Sequence, residues 1–134
     1  MMKPSKTTSA TIEAVSWGRF KIRGTEHGKS TAGQTLGIGK DICLIGEAVS
    51  RWKERKWRLL NEKMVECVLN RGIEILVIGN GALGAIEVPE KVKNYLRQNG
   101  IKEIIVEKTP RACATYNRLF KEGVRVALLA HGTC

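Results

Sequence analysis

The stretch Ile101–Ala130, I-K-E-I-I-V-E-K-T-P-R-A-C-A-T-Y-N-R-L-F-K-E-G-V-R-V-A-L-L-A, decides the fold class. Its two ends, Ile101–Val106 and Val124–Ala130, are short apolar runs of strand length. Between them Thr109-Pro110 offers an N-cap and a first-turn proline, the favoured order at a helix start. Ala112, Cys113, Tyr116, Leu119 and Phe120 then fall on one helical face, and Gly123 stops the helix. Successive strands about 25 residues apart leave room for crossover helices and parallel pairing. The strands are continuously apolar rather than alternating, which predicts a sheet covered on both faces.

The same unit recurs one step upstream. Ile73–Ile78 is an apolar run, and a helix after Pro89 buries Val92, Tyr95 and Leu96 before Gly100 stops it. Before that, Asn61 is a fitting N-cap for a helix that places Met64, Val65, Val68 and Leu69 on one face and ends at Gly72. The N-terminal half reads as short strands. Thr11–Ser16 and Arg19–Arg23 flank Trp17-Gly18, with Phe20 and Ile22 alternating with charged residues. Asp41–Ile45 and Ala48–Trp52 flank a Gly46-Glu47 hairpin turn. Gly24 to Lys40 is rich in Gly, Ser and Thr and reads as a long loop, functional or mobile. Residues 1–10 read as a disordered, Ser/Thr-rich tail, and 11–134 as a single α/β domain. The expected architecture has a mixed, mostly parallel central sheet that finishes in a strand–helix–strand–helix–strand run.

Composition narrows the function classes. The chain of 134 residues carries a formal net charge of +10. Residues 1–60 hold twelve Lys and Arg against five Asp and Glu, a net of +7; residues 61–134 hold eleven against eight, a net of +3. That asymmetry invites an anionic partner, with solubility as the plainer reading. No stretch approaches the ~18 apolar residues of a membrane helix. The lysines near the N-terminus have no apolar segment behind them, which argues against a secretory signal. The four cysteines form no C-x-x-C pair, and with no signal peptide a reducing cytosol is the expected compartment.

Several motifs run in a recognisable order. Trp17-Gly18 is followed by Ile22 and Gly24, and Ile78 leads into Gly79-Asn80-Gly81. Ala112-Cys113, Tyr116-Asn117, Leu119, Glu122-Gly123 and Arg125-Val126-Ala127 follow, and the chain ends His131-Gly132-Thr133-Cys134. Together these resemble the Mth-like small α/β domain family, which includes the adipogenesis-associated Mth-like domain protein and mitochondrial complex I assembly factor 3. The resemblance implies a three-layer α/β fold with a mixed, mostly parallel central sheet. It implies no settled reaction, because members are linked to assembly of respiratory complex I or to adipocyte differentiation. It points towards a protein-binding or assembly factor.

Three constellations carry chemical interest. Gly79-Asn80-Gly81-Ala82-Leu83-Gly84 spells G-x-G-x-x-G after an apolar strand. A dinucleotide site would open its helix within those glycines, whereas Pro89 delays the helix, and the chain is too short for two mononucleotide halves. What remains is a sharp strand turn, or a small anion held by backbone N–H groups at Gly79, Asn80 and Gly81 beside Tyr116 and Asn117. The segment Arg51–Arg58 mixes Arg51, Lys53, Arg55, Lys56 and Arg58 with Trp52 and Trp57. Basic grooves with stacking aromatics bind single-stranded nucleic acid. Tryptophans five apart face opposite sides of a strand, however, so one buried Trp under a solvated basic face is the simpler outcome. His131 and Cys134 have the spacing of a partial metal site, but a metal needs further ligands and His27 is the only other histidine. A strand-end His hydrogen-bonded to neighbouring backbone is the plainer alternative. Cys113 belongs to a buried helical face and lacks the exposure a nucleophile needs.

No acid/base pair, nucleophile–base pair or metal cluster is visible in the sequence, so no catalytic residue, metal or cofactor is expected. The leading expectation is a non-enzymatic cytosolic protein that binds a protein partner through Arg51, Lys53, Arg55 and Arg58. The alternatives are a small anionic ligand or an enzyme reaction at Gly79, Asn80, Gly81, Tyr116 and Asn117, and nucleic-acid binding through residues 51–58.

Overall fold

The structure, a computed structural model, describes residues 11–133, so the expected tail 1–10 and Cys134 lie outside the described residues. The described residues fold as a mixed α/β structure with two sheets and three helices. Strands β1 (Ile12–Ser16), β2 (Arg19–Ile22), β3 (Thr25–Lys29) and β4 (Thr35–Leu36) form a small antiparallel meander. The larger sheet takes β5 (Asp41–Ile45), β6 (Ala48–Arg51), β7 (Ile75–Gly79), β8 (Glu103–Glu107) and β9 (Val126–His131). Helices α1 (Glu62–Val65), α2 (Glu90–Gln98) and α3 (Thr109–Lys121) cover its faces, and a 3-10 turn, Glu66–Val68, continues α1.

The large sheet has the order β6-β5-β9-β7-β8. Its pairings divide evenly rather than favouring parallel ones. β7 pairs in parallel with β8 and β9, joined through crossover helices, while β5 pairs antiparallel with β6 and β9. The final strand inserts at the centre, between a hairpin and a crossover unit, so it has one neighbour of each kind. Both faces are covered, as continuous apolar runs require. Cys43, Leu76, Ile78, Ala127 and Leu129 face α1 and α2 in one core. Ile42, Leu44, Val77, Leu128 and Ala130, the alternate positions, face α3 and the residues Ile12, Phe20 and Ile22 of the meander in the other.

Residues 24–40, expected as a loop, contain β3 and β4. Thr25-Glu26-His27-Gly28-Lys29 has no apolar alternation, because this strand buries His27 and Gly28 in place of hydrophobic side chains. At Gly28 (φ +136°) an added Cβ would sit 1.9 Å from the Gly18 carbonyl oxygen, so only glycine lets the two hairpins approach. The His27 Nδ1 accepts from the Ile38 N–H at 3.0 Å, which ties the meander's end to its middle.

The helix expected from Asn61 to Gly72 shortens to α1 and one 3-10 turn. Asn61 does cap it, its side chain accepting from the Met64 N–H at 3.1 Å. Burial of Met64, Val65 and Val68 then takes precedence over helical continuity. At the start of α3 the cap reading also changes. Lys108 is the N-cap residue and Thr109 lies inside the first turn, buried, with its hydroxyl directed elsewhere.

Candidate functional site

Two ends of the large sheet must be distinguished. β7 and β9 run in parallel and their C-terminal residues, Gly79 and Ala130, lie side by side. At the other end Ile45 pairs with Ala127, which puts the Gly46 turn level with the start of β9. The Tyr116 hydroxyl donates to the Gly46 carbonyl, so Tyr116 serves the far end of the sheet from the Gly79–Gly81 turn. Asn117 spans the first residue of β1. Its Oδ1 accepts from the Ile12 N–H at 3.0 Å and its Nδ2 donates to the Ile12 carbonyl at 2.8 Å. The structure therefore does not bring Gly79, Asn80 and Gly81 together with Tyr116 and Asn117. Both α3 side chains satisfy backbone groups, the commoner role for such residues. Burial pushes the Tyr116 hydroxyl up to about 12, so it stays a neutral donor.

The backbone amides of the turn are spent internally. The Asn80 N–H donates to the Glu107 carbonyl, the Gly81 N–H to the Thr109 Oγ1, and the Ala82 N–H to the Thr133 carbonyl. The Gly84 and Ile86 N–H groups return to the carbonyls of Gly81 and Asn80. Those amides are spent, which leaves an anion little to bind. The glycines have a packing reason instead. A Cβ on Gly79 would lie 2.9 Å from the Thr109 Oγ1 and 3.2 Å from the Ala130 Cβ. Thr109 is the keystone: its hydroxyl accepts from Gly81 at 2.9 Å and donates to the His131 carbonyl at 2.7 Å. Asn80 Oδ1 is buried and has no hydrogen-bond partner, an acceptor that would repel an anion rather than hold one.

Beside this end of the sheet a different arrangement assembles. The antiparallel register of β5 and β9 sets Asp41 opposite His131. Asp41 Oδ1 lies 2.5 Å from His131 Nδ1, and Thr133 Oγ1 lies 3.1 Å from His131 Nε2. With Nδ1–H donating to the carboxylate, Nε2 accepts from the Thr133 hydroxyl. Arg55 Nε donates to the same Asp41 oxygen at 3.1 Å. Burial alone would push the Asp41 carboxyl up, but the hydrogen bond and charge of His131, joined by Arg55, hold it below the usual carboxylate range. Carboxylate, imidazole and hydroxyl stand here in the order that moves a proton off an alcohol. The neighbouring amides are committed, however. Gly132 N–H donates to the Lys40 carbonyl, Gly18 N–H to the Gly132 carbonyl, and Ala82 N–H to the Thr133 carbonyl. The hydroxyl thus has its base, while these three amides are not free to hold an oxyanion.

Above this chain of hydrogen bonds opens a cleft of about 530 Å³ lined by Lys40, Arg55, Lys56, Trp57, Arg58, His131 and Thr133. A second cleft of about 400 Å³ adjoins it and shares Lys40 and Thr133. The remaining walls of the second are Trp17, Gly18, Arg19, Lys29, Ser30 and Thr31. Among the described residues, no carboxylate side chain lines either cleft.

The basic segment is divided by the fold. Trp52 is buried, and its Nε1 donates to the Met64 carbonyl at 2.8 Å. Trp57 is 67 % exposed. Arg51, Lys53 and Arg58 are exposed, whereas Arg55 is largely covered by its pairing with Asp41. Arg51 and Lys53 do not line the cleft; Lys56 of the same segment does, and so does Lys40, which sequence reasoning did not single out. Trp17, 58 % exposed, was also missed as a surface group, since its distance from residue 57 in the chain hides their shared face. A signal existed only in the basic excess of residues 1–60.

Burial pushes the Cys113 thiol up to about 12, and Cys43, Cys67 and Cys113 are all free. Among the described residues no group of three His, Cys, Asp or Glu converges as metal ligands; the expectation about Cys134 lies outside them. No described helix is long and apolar enough to cross a membrane.

Solved structures share this fold. A conserved hypothetical protein from Pyrococcus horikoshii is 22% identical, with a TM-score of 0.75, covering 92% of this chain and 98% of its own. A Bartonella henselae protein described as an outer membrane protein is 22% identical with a TM-score of 0.72, covering 93% and 96%. A Bordetella pertussis protein described as a Mth938-like domain is 18% identical with a TM-score of 0.57, covering 98% and 90%. Residues 12–131 match the family model described as "Protein of unknown function (DUF498/DUF598)", and the chain belongs to that family.

Proposed function

We propose that this chain is a cytosolic binding module whose working surface is the basic end of the large sheet, and that its partner is anionic. One observation carries the reading: two adjoining clefts share Lys40 and Thr133, and among the described residues no carboxylate lines either. Lys29, Lys40, Lys56 and Arg58 have no ion-pair partner among the described residues. Like charges gathered without counter-charges raise the local concentration of anions and speed their encounter. A protein partner presenting acidic groups, as an assembly factor would meet, fits this surface. A small anionic ligand, if the chain takes one, has better chemistry here than at the Gly79–Gly81 turn.

The test is capture of acidic partners by the wild type and by a Lys40→Glu/Lys56→Glu/Arg58→Glu variant. Arg55 is left intact because reversing it would press two carboxylates together at Asp41. Reversal of three charges is expected to abolish retention of acidic ligands on the immobilised protein. Equal retention by both proteins of every acidic protein, peptide and nucleic acid tried would remove this surface from consideration.

A further inference from the structure

The two clefts adjoin through Lys40 and Thr133 in one basic trough, and a tryptophan lines each of them. Trp57 stands on the wall of the larger cleft and Trp17 on the wall of the smaller, 67 % and 58 % exposed. The same linings carry Lys29, Lys40, Lys56 and Arg58, together with the hydroxyls of Ser30, Thr31 and Thr133. Large exposed aromatics cost hydrophobic free energy unless something covers them, and four other large hydrophobic or aromatic groups of this protein (Trp52, Tyr116, Phe20 and Ile42) are fully buried. Trp17 is held in place by its neighbour, since Gly18 N–H donates to the Gly132 carbonyl at 2.7 Å and the Gly18 carbonyl accepts from Lys29 at 2.9 Å. Trp57 is similarly anchored, because its carbonyl accepts from Arg55 Nη1 at 3.2 Å while Arg55 Nε holds Asp41. Both rings are therefore exposed on segments whose backbone is hydrogen-bonded to the rest of the fold.

We propose that this trough binds single-stranded nucleic acid, with bases stacking on Trp17 and Trp57 and the intervening phosphates lying along Lys29, Lys40, Lys56 and Arg58. The inference rests on the anionic-partner reading above and names the partner. Aromatic faces accept any base, and positive charge between them tracks the backbone. Three of the four free cations are lysines, point charges on flexible stems that attract phosphate oxygens without demanding a fixed geometry. Hydroxyls at Ser30, Thr31 and Thr133 add the uncharged donors that commonly reach phosphate oxygens. A duplex cannot use the tryptophans, because its bases are already stacked.

Titration of a fluorescein-labelled oligothymidylate, of the corresponding duplex and of polyglutamate tests this directly. Binding of the single strand is expected to quench tryptophan emission, and to weaken with salt along a log–log slope of about −3, from roughly 0.7 per phosphate over four free cations. Trp17→Ala and Trp57→Ala should each weaken it roughly tenfold or more. Both side chains are exposed, so circular dichroism and melting should be unchanged. Polyglutamate retained while the oligonucleotide is not would overturn the nucleic-acid assignment and leave the anionic-partner reading standing. Failure of both ligands would defeat the two together. Equal affinity for single strand and duplex, untouched by either tryptophan substitution, would mean charge adsorption alone and would equally overturn the stacking site.

Discussion

The Gly79–Gly84 turn and the Trp52–Leu59 segment each follow a strand of the large sheet, and they make opposite use of their polar groups. The turn has the more suggestive sequence, yet its amides at Asn80, Gly81 and Ala82 all end on internal acceptors. The basic segment looks like a solvated surface, yet it closes over His131 and Thr133 to line a cleft with Lys40. What separates them is satisfaction. A site needs donors or charges left over after folding, and the turn has spent its own on Glu107, Thr109 and Thr133, whereas Lys40, Lys56 and Arg58 remain unpaired among the described residues. Glycine spacing reports only that two backbones approach closely.

The largest expected effect breaks the cleft from beneath. Asp41→Asn leaves Arg55 and His131 without their carboxylate, and removing one member of a covered ion pair costs about 3 kcal/mol. Chemical denaturation of the two proteins measures it, and a loss below half that figure would show Asp41 to be dispensable. The effect has a pH signature. Asp41 is held below its unfolded value, so its stabilisation is present above the unfolded pKa of ~3.9 and is lost as pH falls through the folded value. Wild type and variant should therefore converge in stability only on the acid side of pH ~4.

Next in size, Gly79→Ala tests the packing account of the turn. Its Cβ would press on the Thr109 hydroxyl at 2.9 Å, and overpacking of this kind costs about 1–3 kcal/mol. Affinity for oligothymidylate or polyglutamate should stay at the wild-type value, because the turn lies outside the trough. A drop in affinity with unchanged stability would reinstate the turn as a ligand site. Thr109→Val asks the same of the partner side. It strands the Gly81 N–H and frees the His131 carbonyl, at a cost of about 1–2 kcal/mol in melting experiments.

A gentler probe concerns His27. Burial lowers its pKa, and its Nδ1 must be unprotonated to accept from Ile38. The unfolded chain then binds the proton more readily, so stability should fall as pH drops below ~6.5, and His27→Gln should flatten that limb. Melting temperature against pH decides it; an unchanged slope in the variant would assign the titration elsewhere. Smallest of all, Asn80→Ala removes a buried acceptor that has no partner, so it should be neutral or slightly stabilising, by less than ~1 kcal/mol. A clear destabilisation would mean that Asn80 makes a bond to ordered water.

Where local chemistry governs, the sequence was legible. Asn61 caps its helix, Gly46 turns its hairpin, and Ala112, Cys113, Tyr116 and Leu119 face inward from α3. Reading failed where a tertiary contact replaced a local one. β3 is a strand because Gly28 must pass Gly18, and nothing in Thr25–Lys29 alternates to announce it. Thr109 fits an N-cap by position, but a buried Gly81 N–H and a His131 carbonyl claim its hydroxyl first.

Periodicity and spacing by themselves determined the strand–helix alternation of the C-terminal half, both covered faces of its strands and the family motifs, because those depend on neighbours within a few residues. Only the tertiary structure decided where the free charge lies. Trp17, Lys40, Trp57 and Thr133 are far apart in the chain, and they share one trough because the register of β5 against β9 sets Asp41 opposite His131 and so draws Arg55 and the segment behind it over the sheet's end. A register is a property of two strands, and no single stretch of sequence contains it.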